Sequence, residues 1–281
     1  MQPDQLAHKI RSLKDVRKTY KNWPRWFLSR MGIHPGGATT TIKVNGSTLF
    51  ARNNAESWSL ADQVWRWKVY TKHFPILDGY RVLDVGAHFG FFSAFAIHQN
   101  RDVKVVCYEP SKSTFEMLRK NLAKTVDQGN GFVFNFALSD RGGESAFYKL
   151  ESHDASGTLF KNNLGHQAGP IVEERVRTED VQCIWDVFES YDFAKFDCEG
   201  SEFAILRRLG EQVKRLHYVV LEYHDNPQEI VQFFVSNNFS ILEIVPLDTD
   251  AAWIGLSQMG MLYARNDQFV ASGSSAHAGQ G

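Results

Sequence analysis

Hydrophobic and polar positions alternate between strand-like and helix-like patterns through most of the chain. Several of the strand-length segments are almost wholly apolar, which is typical of strands that are covered on both faces. The predicted strands are residues 80–85, 103–108, 132–136, 193–197, 217–223, 239–245 and 259–265. The predicted helices between them are residues 90–98, 111–126, 201–209 and 227–235. This order predicts an α/β fold with a doubly wound, mostly parallel seven-stranded sheet and helices on both of its faces.

The same patterns divide the chain into parts. We expect an N-terminal helical and β-hairpin extension (1–55), an α/β domain (56–268) and a disordered tail (269–281). The hairpin is predicted at Asn45-Gly46, because this dipeptide suits the tight turn between two short strands. Residues from about 141 to 180 contain the dipeptides Gly-Gly (142–143), Ser-Gly (156–157) and Gly-Pro (169–170) and two short strand-like runs, 145–150 and 171–177, which predicts an insertion above the sheet.

Composition excludes several classes of protein. Lys and Arg total 31 and Asp and Glu total 32, so a surface built to bind nucleic acid is not expected. No apolar stretch reaches the roughly 18 residues of a membrane-spanning helix, and the first residues lack the apolar core of a secretion signal. The three cysteines, Cys107, Cys183 and Cys198, show no metal-binding spacing and fit a reducing compartment. We therefore expect a cytoplasmic globular protein.

Residues 1–31 are strongly basic, with eight basic and two acidic side chains. One interpretation is an amphipathic helix that contacts an anionic membrane surface. The other is a helix that packs on the main domain with its basic face in water. We favour the packing interpretation, because the apolar stripe is narrow.

The most informative segment is residues 81–90, an apolar strand followed by a tight turn with Gly86 and Gly90 and then a helix. Glu109 ends the next strand, where a carboxylate can accept two hydrogen bonds from the ribose diol of NAD or of S-adenosylmethionine. The spacing Gly-x-x-x-Gly lacks the second glycine of a pyrophosphate site. Asp84 also suits an amino group and a sulfonium better than a diphosphate. We therefore favour S-adenosylmethionine as the cofactor.

Four segments appear in the order found in FkbM-type methyltransferases, which the chain resembles over about residues 60–265. They are Val-Leu-Asp-Val-Gly-Ala-His-Phe-Gly (82–90), Tyr-Glu-Pro-Ser (108–111), Phe-Ala-Leu-Ser-Asp (136–140) and Lys-Phe-Asp-Cys-Glu-Gly-Ser-Glu (195–202). This family consists of class I S-adenosylmethionine-dependent O-methyltransferases. The resemblance therefore implies a Rossmann-like methyltransferase domain.

The resemblance also implies roles for particular residues. The methionine end of the cofactor would contact Asp84, Gly86 and His88. The ribose would be held by Glu109, and the adenine would lie near Ala137 and Ser139. His88 stands where the family often has Asn, and Cys198 stands where Val is usual.

Acidic and imidazole side chains follow two further strands, which are neighbours in the inferred sheet. Asp197, Glu199, Glu222 and His224 should therefore surround one crevice. Methyl transfer to a hydroxyl requires that its proton be removed, so Asp197, Glu199 and His224 are our candidate catalytic residues. Carboxylates with a histidine could instead hold a divalent cation. Their spacing fits no dedicated metal cage, so we predict no metal site.

The predicted function is S-adenosylmethionine-dependent O-methylation of a hydroxyl on a sugar, a glycan or a polyketide-type small molecule, as the family resemblance implies. Two alternatives stay open. One is an NAD-dependent oxidoreductase, and the other is a binding module that has the same fold but no catalytic activity.

Overall fold

A computed structural model describes residues 13–150, 153–160, 169–247 and 259–269. Its strands are β1 (Thr39–Val44), β2 (Ser47–Arg52), β3 (Arg81–Val85), β4 (Lys104–Tyr108), β5 (Gly131–Phe134), β6 (Ala137–Ser139), β7 (Gly143–Leu150), β8 (His153–Thr158), β9 (Ile171–Asp180), β10 (Tyr191–Phe196), β11 (Leu216–Tyr223), β12 (Phe239–Pro246) and β13 (Gly260–Asn266). Its α-helices are α1 (Trp23–Arg30), α2 (Ala55–Ala61), α3 (Phe91–Gln99), α4 (Lys112–Asp127), α5 (Glu202–Leu209) and α6 (Pro227–Ser236).

Seven strands form the central sheet in the order β12-β13-β11-β10-β3-β4-β5. β3, β4, β5, β10 and β11 pair in parallel, and β13 is antiparallel to both of its neighbours. The predicted α/β fold with a doubly wound, mostly parallel sheet is confirmed. All seven predicted strands and all four predicted helices are present, with ends that differ by no more than two residues.

Successive residues of the buried strands pack on opposite faces of this sheet. Val82 and Val105 belong to a core with α3 and α4, whereas Leu83 and Val106 belong to a core with α5 and α6. Because side chains alternate along a strand, strands that are covered on both faces must be apolar at nearly every position. This explains why the uninterrupted apolar runs identified the strands.

The N-terminal segment packs on the first of these two cores. Residues 13–19 are helical, and Val16 and Tyr20 are fully buried in that core. β1 and β2 form an antiparallel hairpin, in which Asn45 and Gly46 adopt φ values of 45° and 85°. Positive φ at both central residues is what such a two-residue turn requires.

The carboxylate of Asp62 joins the N-terminal segment to the helix before the main sheet. Asp62 is fully buried in a π-helical turn, Asp62–Arg66, which continues α2. It accepts hydrogen bonds from the Tyr20 hydroxyl and the Trp26 indole, each at 2.9 Å. Arg30 and Arg66 lie 2.9 Å and 3.0 Å from the same carboxylate. A buried charge is stable when it is paired in this way.

The predicted insertion supplies β7, β8 and β9 of a second sheet, whose strand order β6-β9-β7-β8 also includes β6 just before the insertion. β7 and β9 correspond to the two strand-like runs of the sequence, while β6 and β8 were not predicted. β6 has three residues, and the register of β8 against β7 is irregular, so neither strand has a clear two-residue pattern.

Some predictions fall outside the described residues. These include the tail after residue 269 and the first twelve residues of the N-terminal extension. The described helices do not include one with the length and apolar character that spanning a membrane requires.

Replacing Asp62 should destabilise the protein strongly. In Asp62→Ala, two arginines and two aromatic donors lose their shared acceptor. We expect the free energy of unfolding to fall by about 3 kcal/mol in urea denaturation. The control is Asp78→Ala, because the Asp78 side chain is 54% exposed beside Arg101, and such surface pairs contribute little. Equal losses in the two variants would contradict a structural role for Asp62.

Candidate active site

The order of the strands places a cleft at the carboxyl ends of β3 and β10. From β3 the chain proceeds to β4 and β5 on one side, and later to β10 and β11 on the other. Ligands of doubly wound sheets bind at this kind of switch point. The cleft encloses a cavity of about 80 Å³ and continues into space that is open to solvent.

The turn after β3 approaches the loop after β10 very closely. Gly86 has φ +73°, and a Cβ atom at this position would lie 1.7 Å from the carbonyl oxygen of Asp197. The Gly86 and Ala87 N–H groups both donate to the Tyr108 carbonyl at the end of β4. Glycine is therefore required at position 86, and the turn is fixed between the neighbouring strands on both sides.

Asp84 lies beneath this turn and is not among the described residues that line the cleft. Its carboxylate accepts hydrogen bonds from the Ser93 hydroxyl at 2.7 Å and from the Lys195 ammonium at 3.2 Å. Lys195 also donates to the Gly86 carbonyl at 2.8 Å. The contact of Asp84 with the cofactor stays a prediction, and the described hydrogen bonds of its carboxylate come from Ser93 and Lys195. Asp84 supports the turn from below.

Glu109 and His88 both line the cleft and contact each other. Glu109 accepts hydrogen bonds from the backbone N–H groups of His88 and Ser111, at 3.0 Å and 2.9 Å. Burial raises the pKa of Glu109 to about 7, although these N–H groups oppose the shift. Burial lowers the pKa of His88 to about 3, so its imidazole is neutral. The Nε2 atom of His88 is buried and has no hydrogen-bond partner in the described parts of the chain.

The inserted sheet forms another wall of the cleft. Ala137 of β6 lines it, together with Phe147 of β7 and Leu159 just after β8. Ser139 was expected beside Ala137 but is not among the lining residues described, and its hydroxyl donates to Asp140 instead. β6 has only three residues, of which Ala137 and Leu138 line the cleft and Ser139 does not.

Asp197 follows β10 and faces the turn after β3. It accepts a hydrogen bond from the Tyr70 hydroxyl at 3.0 Å, and the Lys195 ammonium lies 3.4 Å away. Burial and the Asp197 carboxylate raise the pKa of Tyr70 well above its usual value, so the phenol stays protonated as a donor. Burial alone would lower the pKa of Lys195, but the carboxylates of Asp84 and Asp197 raise it. Lys195 is therefore a fixed positive charge beneath the cleft.

His224 follows β11 and lies among three carboxylates. Its Nδ1 atom is 3.2 Å from Glu202, and its Nε2 atom is 3.3 Å from Glu199 and 3.8 Å from Glu222. Burial would lower the pKa of His224, but the hydrogen bond to Glu202 and the surrounding charges raise it to about 10. Burial raises the pKa of Glu199 to about 8 and, together with the Asp197 carboxylate, raises that of Glu222 well above its usual value. The expected grouping of acidic and imidazole side chains is present.

The backbone at Glu199 is held in a left-handed conformation with φ 53°. Its carbonyl oxygen accepts a hydrogen bond from the Thr158 hydroxyl of the inserted sheet at 2.6 Å. On the other side, Glu202 accepts the N–H groups of Cys198 and Gly200. These contacts fix the loop that carries Glu199, at an energetic cost that is typical of functional sites.

Sequence reasoning did not assign a role to three residues of the site. Lys195 had a signal, because a lysine stood in an otherwise apolar strand. Glu202 appeared at the start of a predicted helix, where an acidic residue is ordinary. Tyr70 had no signal, because its contact with Asp197 joins positions that are 127 residues apart.

The doubly wound sheet and its cleft define a Rossmann-like α/β protein with a binding site at the switch point. Residues 84–246 match the model of the methyltransferase FkbM domain, and the chain belongs to this family of methyltransferases. The match begins in β3 and ends with β12, so it contains both walls of the cleft.

Among curated proteins, the chain is similar to the AMB antimetabolite synthetase AmbE of Pseudomonas aeruginosa, with 28% identity over 216 residues. The match covers 64% of this chain and spans about 10% of that protein's length. A solved methyltransferase FkbM from Methylobacillus flagellatus KT is 14% identical, with a TM-score of 0.48, over 69% of this chain and 45% of the other. A putative RNA methyltransferase from Pyrococcus horikoshii is 15% identical, with a TM-score of 0.41, over 75% and 84% of the two chains.

Replacing Gly86 tests the close approach of the two loops. Gly86→Ala and Gly129→Ala both place alanine at φ +73°, but a Cβ atom added at position 129 would meet no atom within 4 Å. Both variants should lose about 1–2 kcal/mol of stability to backbone strain. We expect Gly86→Ala to lose about 1–3 kcal/mol more from overpacking, measured by urea denaturation. Equal losses of stability in the two variants would show that the loops after β3 and β10 can move apart without a measurable loss of free energy.

Proposed function

We propose that this chain is an S-adenosylmethionine-dependent O-methyltransferase that acts on a hydroxyl of a sugar, a glycan or a polyketide-type small molecule. The observation that carries the proposal is the cleft at the switch point, which joins an acidic ribose-binding position at Glu109 to a cluster of proton-accepting groups at Asp197. Membership of the methyltransferase family supports the same reaction class.

The residues of the cleft fit the cofactor at two points. Glu109 is a buried carboxylate facing the cleft, which can accept hydrogen bonds from a ribose diol. The unpaired Nε2 atom of His88 lies on the same wall and can bond to a polar group of the methionine end. S-adenosylmethionine, when bound, supplies a methyl group on a positively charged sulfonium. The chain holds and orients it through Gly86, His88 and Glu109, with Ala137 beside the adenine.

Asp197 is the side chain best placed to receive the acceptor's proton. It lines the main cleft and also the adjoining cavity beneath His88. Its described contacts with Tyr70 and Lys195 both fall on Oδ2, which leaves Oδ1 for an acceptor hydroxyl. Glu199 and His224 adjoin it and complete the proton-transfer group. A positioned carboxylate of this kind accelerates such reactions by about 10²–10⁴-fold.

The nature of the acceptor is proposed from the family and from the shape of the site. The inserted sheet contributes Phe147 and Leu159, so a part of the cleft is apolar and suited to a small organic molecule. AmbE is described as an antimetabolite synthetase, which is consistent with small-molecule biosynthesis. Three free thiols fit a reducing cytoplasmic compartment, and we propose neither a nucleic-acid partner nor stable membrane contact.

Cofactor binding should depend on pH through Glu109. A ribose diol bonds best to the ionised carboxylate, whose pKa is about 7 without ligand. The affinity for S-adenosylhomocysteine, measured by calorimetry, should therefore fall about tenfold from pH 8 to pH 6. Glu109→Gln should bind more weakly at pH 8 by about 1–3 kcal/mol and lose most of this pH dependence. His88 stays neutral and Lys195 stays charged in this window, while Glu199, with a pKa of about 8, accounts for the pH dependence that remains in Glu109→Gln.

Glu116→Gln is the matched control, since Glu116 is a half-exposed glutamate beside Arg119 on α4, outside the cleft. It should bind like the wild type at each pH. Absence of binding to the wild type would contradict the proposed cofactor, and a thermal shift with NADH instead would favour an oxidoreductase.

Asp197→Asn should separate catalysis from cofactor binding. The asparagine keeps the shape of the side chain but cannot accept the proton. Release of S-adenosylhomocysteine with hydroxyl acceptors should fall by at least about 10²-fold, while its affinity stays within about threefold. Asp192→Asn, at the opposite end of β10, is the control and should retain turnover. Equal loss of affinity and turnover would assign Asp197 to cofactor binding, and wild-type protein without turnover would favour an inactive module.

A further inference from the structure

Four side chains at the carboxyl ends of β10 and β11 form a group that we call the acidic–imidazole cluster. They are Asp197, Glu199, Glu222 and His224. One oxygen of Asp197, one oxygen of Glu199 and one nitrogen of His224 lie within 4.8 Å of one another. Two ligands on opposite sides of a small divalent cation are about 4.2 Å apart, because each bond is about 2.1 Å long. At least two of the three pairs would be adjacent ligands, which lie about 3 Å apart, so the side chains would have to move inward by up to about 1–2 Å to bind one ion.

The orientation of His224 is the second observation that indicates a cation. Its side chain is 8% exposed, and its buried Nε2 atom makes no hydrogen bond in the described parts of the chain but faces the carboxylate oxygens of Glu199 at 3.3 Å and Glu222 at 3.8 Å. Its Nδ1 atom contacts Glu202, which already accepts two backbone N–H groups. Glu202 therefore needs a donor from His224, and the Nδ1–H bond directs Nε2 at Glu199, where a cation that replaces the Nε2 proton would bind. A carboxylate behind a histidine in this way is the usual support of a metal-binding imidazole.

The charges around the cluster also favour a cation. Asp197, Glu199, Glu202 and Glu222 bring four carboxylates to one side of the cleft. The buried ammonium of Lys195 contacts Asp197, but it also neutralises Asp84 beneath the turn. Carboxylates packed at this density need protons or a metal ion between them.

We propose that Asp197, Glu199 and His224 bind a divalent cation, with Glu222 beside the site and Glu202 as the positioning residue behind the imidazole. Two carboxylates and one imidazole suit Mn²⁺, since oxygen ligands prefer hard cations and an imidazole ligand shifts the preference away from Mg²⁺ and Ca²⁺. Three protein ligands leave coordination positions open to the cleft.

The open positions suggest how the ion would be used. A hydroxyl bound to a divalent cation loses its proton more readily and is held in a fixed orientation. This use rests on the proposed methyltransferase function, whereas the binding of the ion does not. Regular spacing gave no signal for the site, because its ligands come from two strand ends that meet only in the folded sheet.

The test is direct binding of Mn²⁺ to the full chain after treatment with a chelator. Loss of the electron paramagnetic resonance signal of free Mn²⁺ measures binding without an acceptor. The wild type should bind about one ion per chain. His224→Ala and Glu199→Gln should each weaken binding by at least about tenfold. His217→Ala should leave it unchanged, because His217 pairs with Asp192 at the opposite end of the sheet.

Binding of S-adenosylhomocysteine to the same samples separates this proposal from the proposed function and shows that each variant is folded. If the chain binds S-adenosylhomocysteine but does not bind Mn²⁺ at millimolar Mn²⁺ concentration, the cation site is overturned and the proposed cofactor is not. Protons would then neutralise the cluster. Mn²⁺ binding that survives in both His224→Ala and Glu199→Gln would also overturn it. Mn²⁺ binding that depends on His224, in a chain that does not bind the nucleoside, would support the cation site and overturn the cofactor.

Discussion

The buried ammonium of Lys195 joins the two loops from which the cleft is built. It lies 3.2 Å from Asp84, 2.8 Å from the Gly86 carbonyl and 3.4 Å from Asp197. A charge in an apolar sheet is stable only when its hydrogen bonds are satisfied, and these three acceptors come from both sides of the switch point. The loop after β3 and the loop after β10 are therefore fixed relative to each other, and Gly86 provides the space for their close approach.

Segments outside the parallel sheet complete the site. Tyr70 precedes β3 and bonds to Asp197, while Thr158 of the inserted sheet bonds to the backbone of Glu199. The N-terminal segment is itself fixed by the buried carboxylate of Asp62. Tyr70 and the inserted sheet thus hold the side chain of Asp197 and the backbone of Glu199 in place.

Much of the fold followed from local patterns. The strands around Val82, Val105 and Val219 were identified because both faces of the sheet are covered, and Gly86 and Glu109 were located by their positions after strands. Asp84 and Ser139, which the family resemblance places at the cofactor, are not among the described residues that line the cleft. The side chain of Asp84 points beneath the turn, and that of Ser139 bonds outside the cleft.

The sequence by itself determined the order of strands and helices, the glycine turn, the acidic end of β4 and the family of the protein. Each of these depends on residues that are close in the chain or on a fixed period of side chains. The tertiary structure alone decided that Tyr70, Lys195 and Glu202 support Asp197 and His224, and that side-chain atoms of Asp197, Glu199 and His224 lie within 4.8 Å of one another. The physical reason is that distances between side chains on separate elements are set by packing, which no local spacing encodes.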